Sequence, residues 1–390
     1  MELDEIREKG FLSFTFSPVT DLYPAVKEEN AKELPILLKG SFKLVLFIKT
    51  SIIQIGLKLF PEMPHFVTGS MTSLKKDHIY TAAFKWDGNS DSQFSFYLNG
   101  LYNGVEHWQL PGYFKSKSCK GDYITPDNGQ FIRAIDLTLK NGDYTEEEFI
   151  KSAKHPDCSE ITDESRTADT SPLFPLKPPD GDIIISSEFS ETKDLDDWLL
   201  EGQGSAEIHD GMLEMTPGAP GDIPNHLVLW NKNDLPENFL AEWDFIRSRD
   251  SGLAIAFFCA LGINGEDILT GNLAPRDGDF KKYHHGDFNC YHISYFAYGR
   301  TTCNLRKNYG MFLGAIGNDL VSNYPADEKV RVSLFKMEGN ISLGINGKTA
   351  LRYHDDGVRY GNILGTGKFG FRQMAHTGSA RYGNFSVRAI

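Results

Sequence analysis

Apolar and polar residues alternate in short runs along most of this chain, and a helical three-to-four spacing is almost absent. Residues 42–48 and 52–60 are rich in β-branched and aromatic side chains and are separated by a Thr-Ser break, which predicts two successive strands. A third is expected at 80–86, closed by the turn formers Asp87, Gly88 and Asn89. Over 93–98, Phe94, Phe96 and Leu98 alternate with Gln93, Ser95 and Tyr97, the period of a strand with one buried face. Asn99-Gly100 then supplies two residues that tolerate positive φ, as a tight hairpin requires. One short helix is expected over 145–153, opened by Thr145 with Glu148 three residues later as a capping box.

Between 163 and 182 the chain turns rich in Ser, Thr, Asp and Pro, including Pro172, Pro175, Pro178 and Pro179. Proline lacks an amide donor and stiffens an extended path, so this stretch reads as a linker. It separates a first domain at 1–162 from a second at 183–390, with the linker at 163–182. In the second domain, candidate strands fall at 241–246, 253–261, 290–297, 311–316, 330–336, 340–345, 368–374 and 384–389. Short strands at that spacing, joined by glycine turns, predict a sandwich or jelly roll. The fold class is therefore all-β, as two tandem β-sandwich domains. No strict repeat links the halves, yet Phe96-Tyr-Leu-Asn-Gly100 and Ser342-Leu-Gly-Ile-Asn-Gly347 read as one hairpin device used twice.

Composition narrows the function classes. A chain of 390 residues with 40% hydrophobic and 24% charged side chains builds packed cores, and its length favours two of them. The formal charge of -13 argues against a nucleic-acid partner, because phosphates need a local surplus of Lys and Arg. It also disfavours an anionic substrate unless basic residues gather in one cleft. Five cysteines (Cys119, Cys158, Cys259, Cys290 and Cys303) form no CxxC pair, so buried free thiols are the ordinary reading, with a Cys290–Cys303 bridge as the alternative. The most apolar stretch, 42–60, is broken by Lys43, Lys49 and Lys58, which excludes it as a membrane-spanning helix. Residues 1–10 are charged and carry no secretion signal.

Two resemblances sharpen the picture. Tyr80-Thr-Ala-Ala-Phe-Lys-Trp86 with Phe96-Tyr-Leu-Asn-Gly100 resembles the paired strands of laminin-G-like or concanavalin-like sandwiches, over about 11–139. In the second domain, Tyr291-His-Ile-Ser-Tyr-Phe296, Cys303-Asn-Leu-Arg-Lys-Asn308, Gly370-Phe-Arg-Gln-Met374 and Ala380-Arg-Tyr-Gly-Asn-Phe385 resemble a bacterial family described only as a domain of unknown function. That resemblance covers 183–390 and implies a concanavalin-like sandwich found among polysaccharide-degrading enzymes. Some members are dehydratases of ulvan-derived oligosaccharides that leave a 4,5-unsaturated uronic acid. It further implies a periplasmic or secreted location, whereas the absence of a signal in 1–10 leaves a cytoplasmic one open.

Elimination beside a carboxylate needs a cation or donor on the carboxylate, a base for the C5 proton, and an acid for the oxygen leaving C4. Residues 283–306 are rich in such groups, and strand alternation sorts them. One face of 290–298 carries Tyr291, Ile293, Tyr295 and Ala297, suited to a core; the other carries His292, Ser294, Phe296 and Tyr298, suited to a groove. Asn304 and Arg306 share a face of the next strand. The expected catalytic set is thus His292 as base, Tyr298 (or Tyr295) as acid, and Arg306 with Asn304 on the carboxylate. Arg372 is a second carboxylate candidate, Tyr283, His284, His285 and Arg300 are expected to contact substrate, and the loop 283–287 is the alternative source of the base or a cover over the sugar. A hydrogen-bonded core or rim role is the ordinary alternative for each.

No cofactor is expected. Structural calcium is conceivable at Asp277-Gly-Asp279 and Asp355-Asp-Gly357, although Asp-Gly pairs are more often turns. His284-His285 is poorly spaced for a metal if it lies on a strand, where adjacent side chains point apart. The partner expected is an acidic oligosaccharide, with no nucleic acid and no membrane. Oligomeric state is left open. Competing readings are a glycoside hydrolase using Glu242 and Asp244, and a non-catalytic lectin stacking Trp108 and Trp230 on sugar rings.

Overall fold

The computed structural model describes residues 5–39, 42–50, 52–59, 66–88, 94–106, 117–118, 123–124, 131–159, 181–218, 226–270, 272–298 and 302–390. The chain divides into two compact units, 1–161 and 162–390. Most of the proline-rich stretch, together with Trp108, Cys119 and Arg300, lies outside the described residues.

In the first unit, two five-stranded sheets enclose one apolar layer. One runs Tyr123–Ile124, Lys32–Lys39, Phe42–Lys49, Ile52–Lys58, Val67–Met71; the other runs Ile132–Asn141, Lys9–Pro18, Tyr80–Asp87, Phe94–Leu98, Leu101–Glu106. Phe84 and Phe96, directly opposed across two strands, turn into the core with Leu44, Leu46, Ile53 and Ile55, as the period of two demands. The expected helix is present as Glu146–Ala153, and its Thr145–Glu148 capping box is complete. It lays Phe149 and Ala153 on Phe11 and Ala83.

The second unit is a sandwich of an eight-stranded and a seven-stranded antiparallel sheet. The first orders Gly204–His209, Met212–Pro217, Ala380–Ala389, Phe239–Arg247, Val330–Met337, Asn340–Ile345, Lys348–His354, with Ile183–Ser187 also paired to Ala380–Ala389. The second orders Trp198–Gly202, Leu227–Leu235, Gly367–Gln373, Leu253–Gly262, Phe288–Ala297, Thr302–Asn308, Phe312–Asn318. Between them lie Trp243, Phe245, Tyr291, Phe369, Phe371 and Tyr382, all fully buried. Trp243 meets Phe369 and Phe371 edge-on at 5.5 Å, an arrangement that aligns ring edges with π faces.

The repeated hairpin device is real. Asn99-Gly100 and Asn346-Gly347 both hold positive φ at two successive residues (49° and 79°; 48° and 76°), the backbone that a primed two-residue turn requires. Alternation fails at one instructive point. Ala254 pairs with Phe296 and Ile255 with Ser294, so Tyr295 is an extra residue, a β-bulge. Beyond it the faces swap: Phe296, expected on the polar face, packs in the core beside Phe245.

Candidate functional site

Register fixes what the outer face of the seven-stranded sheet displays. Trp230, Gly370, Phe257, His292 and Arg306 form one row across five strands. Val228, Arg372, Ile255, Ser294 and Asn304 form the next. His292, Asn304 and Arg306 therefore share a face, as their spacing predicts, and Arg372 stands on the same face two strands from His292; the open groove expected around His292 is not there, because His292 is 3% exposed and lies against the Phe280 ring.

Part of this face is covered. The connection between Leu253–Gly262 and Phe288–Ala297 folds back as a strap that presses Ile268, Leu269, Leu273, Phe280 and Tyr283 onto Val228, Trp230 and Phe257. Burying those aromatics holds the strap down by the hydrophobic effect. Its polar pin is Glu201, which accepts from Trp230 Nε1 (2.9 Å), Arg276 Nη2 (2.6 Å) and Tyr283 Oη (3.1 Å). Gly278 runs against the residue that precedes the strand Leu227–Leu235: at φ 93° a Cβ would lie 1.9 Å from the His226 carbonyl oxygen, so only glycine fits.

Under the strap sits Arg372, 0% exposed. Its Nη2 donates to the Gly278 carbonyl at 2.9 Å, and its guanidinium faces the Phe280 and Tyr283 rings at 4.8 and 5.2 Å. Its Nε donates to Met374 Sδ at 3.2 Å, Asp279 acts on it only through its charge, and Nη1 has no hydrogen-bond partner among the described residues. Burial lowers its pKa to about 10. Phe280 is the hub of the cluster: its ring is 4.7 Å from His284 and 5.4 Å from His292, besides its contact with Arg372. His284 is half-buried and held down to about 4, by desolvation first and then by His285, Arg306 and Arg372. At pH 7 it is a neutral imidazole flanked by two guanidiniums, in a chain whose overall charge is -13. The two guanidiniums gather positive charge at this point of the sheet, and the Asp279 carboxylate acts on both His284 and Arg372 in the opposite sense.

Several expected roles are corrected. Tyr295 is fully buried between the sheets against Trp243 and Phe245, and burial raises its pKa well above the phenol range, so it cannot serve as acid. Tyr298 is 50% exposed but six residues along the strand from His292, roughly 20 Å away at the rise of an extended chain, too far to share one sugar ring. Tyr283 is fully buried, its hydroxyl fixed between the Gly278 amide and Glu201, and it supports Arg372 instead of touching substrate. His284 and His285 do not lie on a strand. They end the helical turn Lys281–His284, where their Nδ1 atoms meet in a hydrogen bond. Cys259, Cys290, Cys303 and Cys158 are free thiols, and Cys290 faces Asn308, not Cys303, across the strand pair.

The glycosidase pair is also engaged elsewhere. Asp244 accepts from Arg331 (3.1 Å) and Asn384 (2.7 Å), and Glu242 accepts from Ser333 (2.9 Å), all on the outer face of the eight-stranded sheet. Trp230 is buried and unavailable for stacking on a sugar. Asp277 pairs with Lys282 and caps the Asp279 amide, the turn chemistry of an Asp-Gly pair. Among the described residues no three His, Cys, Asp or Glu side chains gather as metal ligands. A cavity of about 520 Å³ opens on the eight-stranded sheet, lined by Phe335, Asn340, Ser342, Arg352 and His354 among others.

Three neighbours of the cluster were not singled out from sequence. Phe280 links Arg372 to both imidazoles, Asn308 donates to His292 Nδ1 at 2.8 Å, and exposed Tyr309 lies 5.4 Å from His285. Asn308 closes the Asn-Leu-Arg-Lys-Asn motif and so carried a signal; the strap that delivers Phe280 has no periodicity to betray it.

Fold and cluster together define a galectin-like β-sandwich of the concanavalin-like kind with a cationic, imidazole-rich sheet face. The chain belongs to the family described as Domain of unknown function (DUF1961), whose model matches residues 182–387. It is 38% identical over 215 residues to the uncharacterized protein YesU of Bacillus subtilis (strain 168), covering 53% of this chain and 96% of that protein. A solved Bacillus subtilis protein of unknown function with a galectin-like fold matches at 34% identity and a TM-score of 0.51, covering 55% of this chain and 98% of its own. A family GH16 endo-β-1,3(4)-glucanase matches more distantly, at 11% identity and a TM-score of 0.39, covering 57% of this chain and 100% of its own.

Proposed function

We propose that the second unit is a carbohydrate-active lyase that forms a 4,5-unsaturated uronic acid by β-elimination, from an ulvan-type or other uronate oligosaccharide. The observation that carries this reading is the buried Arg372 guanidinium, which forms no ion pair with a carboxylate among the described residues and stands across one phenylalanine ring from neutral His284 and from His292. A buried cation costs several kcal/mol unless something offsets it, so a site that keeps one without an acid is built to receive an anion. Arg306, half-buried and directly opposite His292, supplies a second positive group on the same face.

In this reading the uronate carboxylate docks on half-buried Arg306, while Arg372, 0% exposed beneath the strap, contributes its positive charge from behind the Phe280 ring. Drawing charge from the carboxylate acidifies the C5–H, and an unprotonated imidazole takes the proton. Elimination then expels the C4 oxygen as water or as a sugar alcohol. The test is incubation with uronate-terminated oligosaccharides, following ultraviolet absorbance of the conjugated product alongside a reducing-end assay. New absorbance supports the proposal; reducing ends without absorbance refute it in favour of hydrolysis.

One observation favours a second reading. The cavity on the eight-stranded sheet lies within the size range of small-ligand pockets, and it combines the Phe335 ring with Asn340, Ser342, Arg352 and His354. Sugar binding that survives loss of Arg372, with no chemical change in the sugar, would identify the unit as a carbohydrate-binding module acting there.

A further inference from the structure

Outward from the buried guanidinium the cluster runs as a file of rings. Phe280 lies 4.7 Å from His284, His284 4.5 Å from His285, and His285 5.4 Å from Tyr309, centroid to centroid. Exposure grows along the file: Phe280 and His284 are half-buried, whereas His285 and Tyr309 are exposed. Among the described Phe, Tyr and Trp side chains only Tyr298, at 50%, and Tyr309, at 51%, are exposed, and of these Tyr309 stands beside the imidazoles. A solitary solvent-facing ring is ordinary in itself. Tyr309 differs in that its backbone is pinned while its ring stays open. Its amide donates to Asn289 Oδ1 at 3.0 Å, and the next amide, of Gly310, donates to the His284 carbonyl at 2.9 Å. Arg306 Nη1 donates to the Met311 carbonyl at 2.8 Å. Gly310 and Met311 hold positive φ (108° and 58°), which closes a tight turn between the strands Thr302–Asn308 and Phe312–Asn318.

We propose that Tyr309 is the stacking platform for the sugar next to the reacting uronate, so that the site prefers a chain of at least two rings. This rests on the elimination reading above and adds a substrate requirement to it. One face of a pyranose presents C–H bonds that are apolar and weakly positive, and the face of a phenol ring carries negative π density, so the two attract while the sugar hydroxyls stay in water. A ring held on a pinned turn is ready before the ligand arrives and has little freedom left to lose on binding.

The placement divides the work between inner and outer groups. Half-buried Arg306 and His284 meet the charged, reacting ring. The neighbouring sugar carries no breaking bond and lies one step nearer solvent, where Tyr309 offers it an aromatic face. Tyr309 is therefore a binding residue: no bond forms or breaks at it, and its contribution falls on the choice between an oligosaccharide and a free uronic acid.

The test compares a uronate-terminated disaccharide with the free uronic acid on the full chain. It reads kcat/KM from the absorbance of the unsaturated ring where elimination occurs, and Kd by titration calorimetry where it does not. The wild type should prefer the disaccharide about tenfold, the usual contribution of one aromatic contact. Tyr309→Ala should lose that preference, and Tyr309→Phe should keep it, because the ring and not the hydroxyl carries the stack. A wild type indifferent to the second sugar, an alanine variant with its preference intact, or a phenylalanine variant as impaired as alanine overturns the inference. Should the alanine variant fail to fold, proton NMR of the disaccharide on the wild type decides: protons of the second sugar should move upfield in the ring current of Tyr309, and unmoved protons overturn the platform. Preference and upfield shifts in a protein that forms no unsaturated ring would uphold the platform while defeating the elimination reading. Unsaturated product from both sugars at equal kcat/KM would do the reverse, and a protein that binds neither sugar defeats both.

Discussion

Consider Arg372→Met, a substitution close in length that removes the charge and keeps the apolar stem. The fall of the Arg372 pKa from 12.5 to about 10 corresponds to about 3 kcal/mol spent on holding the cation away from water. Methionine would relieve that cost. It would also lose the charge-assisted hydrogen bond to Gly278, of about 2 kcal/mol, and the ring contacts with Phe280 and Tyr283, of about 1 kcal/mol together. Relief and loss nearly cancel, so urea unfolding should move by no more than about 1 kcal/mol in either direction, against the 3–5 or so lost when a structural buried pair is broken. Over the same change, elimination from a uronate should fall about 10²–10³-fold in kcat/KM, the usual effect of removing one oriented electrostatic group. Stability kept while activity collapses is the signature of a residue retained for its ligand. A loss of more than about 3 kcal/mol in unfolding with uronate turnover unaltered would refute the reasoning and make Arg372 a keystone of the strap.

Four further outcomes follow from named groups. Because His284 titrates near 4, the acid limb of kcat/KM in the free enzyme should fall near pH 4, not near 6.5, and His284→Gln should abolish turnover. The same depressed value means that between about pH 6.5 and 4 the unfolded chain takes up a proton the folded one refuses, so stability measured by urea should decline across that window as pH falls. Asp355→Ala should cost about 3–5 kcal/mol in urea unfolding, because it leaves Lys307, 2% exposed and 2.7 Å from that carboxylate, as an uncompensated buried charge; Lys307→Met added to it should recover part of the loss. Glu242→Gln and Asp244→Asn should leave elimination rates unchanged in the absorbance assay, since both acids are engaged with Arg331, Ser333 and Asn384 on the other sheet.

Much of this architecture was legible in the chain because a strand buried on one face writes a period of two, and glycine turns mark its ends. Residues 340–345, read as a strand from that pattern, form one with the same ends, and the strand expected at 253–261 runs on by a single residue. The juxtaposition of His292 with Arg306 and Asn304 was legible for the same reason. What alternation hides is where it is broken. The bulge at Tyr295 inverts everything beyond it, which is why Phe296 turned inward and Tyr298 left the groove. The strap was harder still. Its path is set by Glu201, Arg276 and the glycine at 278, contacts between residues far apart in sequence that no local period records. Hence Arg372 could be suspected of binding a carboxylate from sequence, but not of being buried without one.

The most direct measurement follows the C5 hydrogen itself. A uronate oligosaccharide deuterated at C5 of its terminal ring, incubated with the full chain and followed by NMR, should release its deuterium to solvent in step with appearance of the unsaturated ring. Arg372→Met should suppress both together. Deuterium retained at C5 in every product, or a sugar that is bound and returned unchanged, would contradict the account at its root.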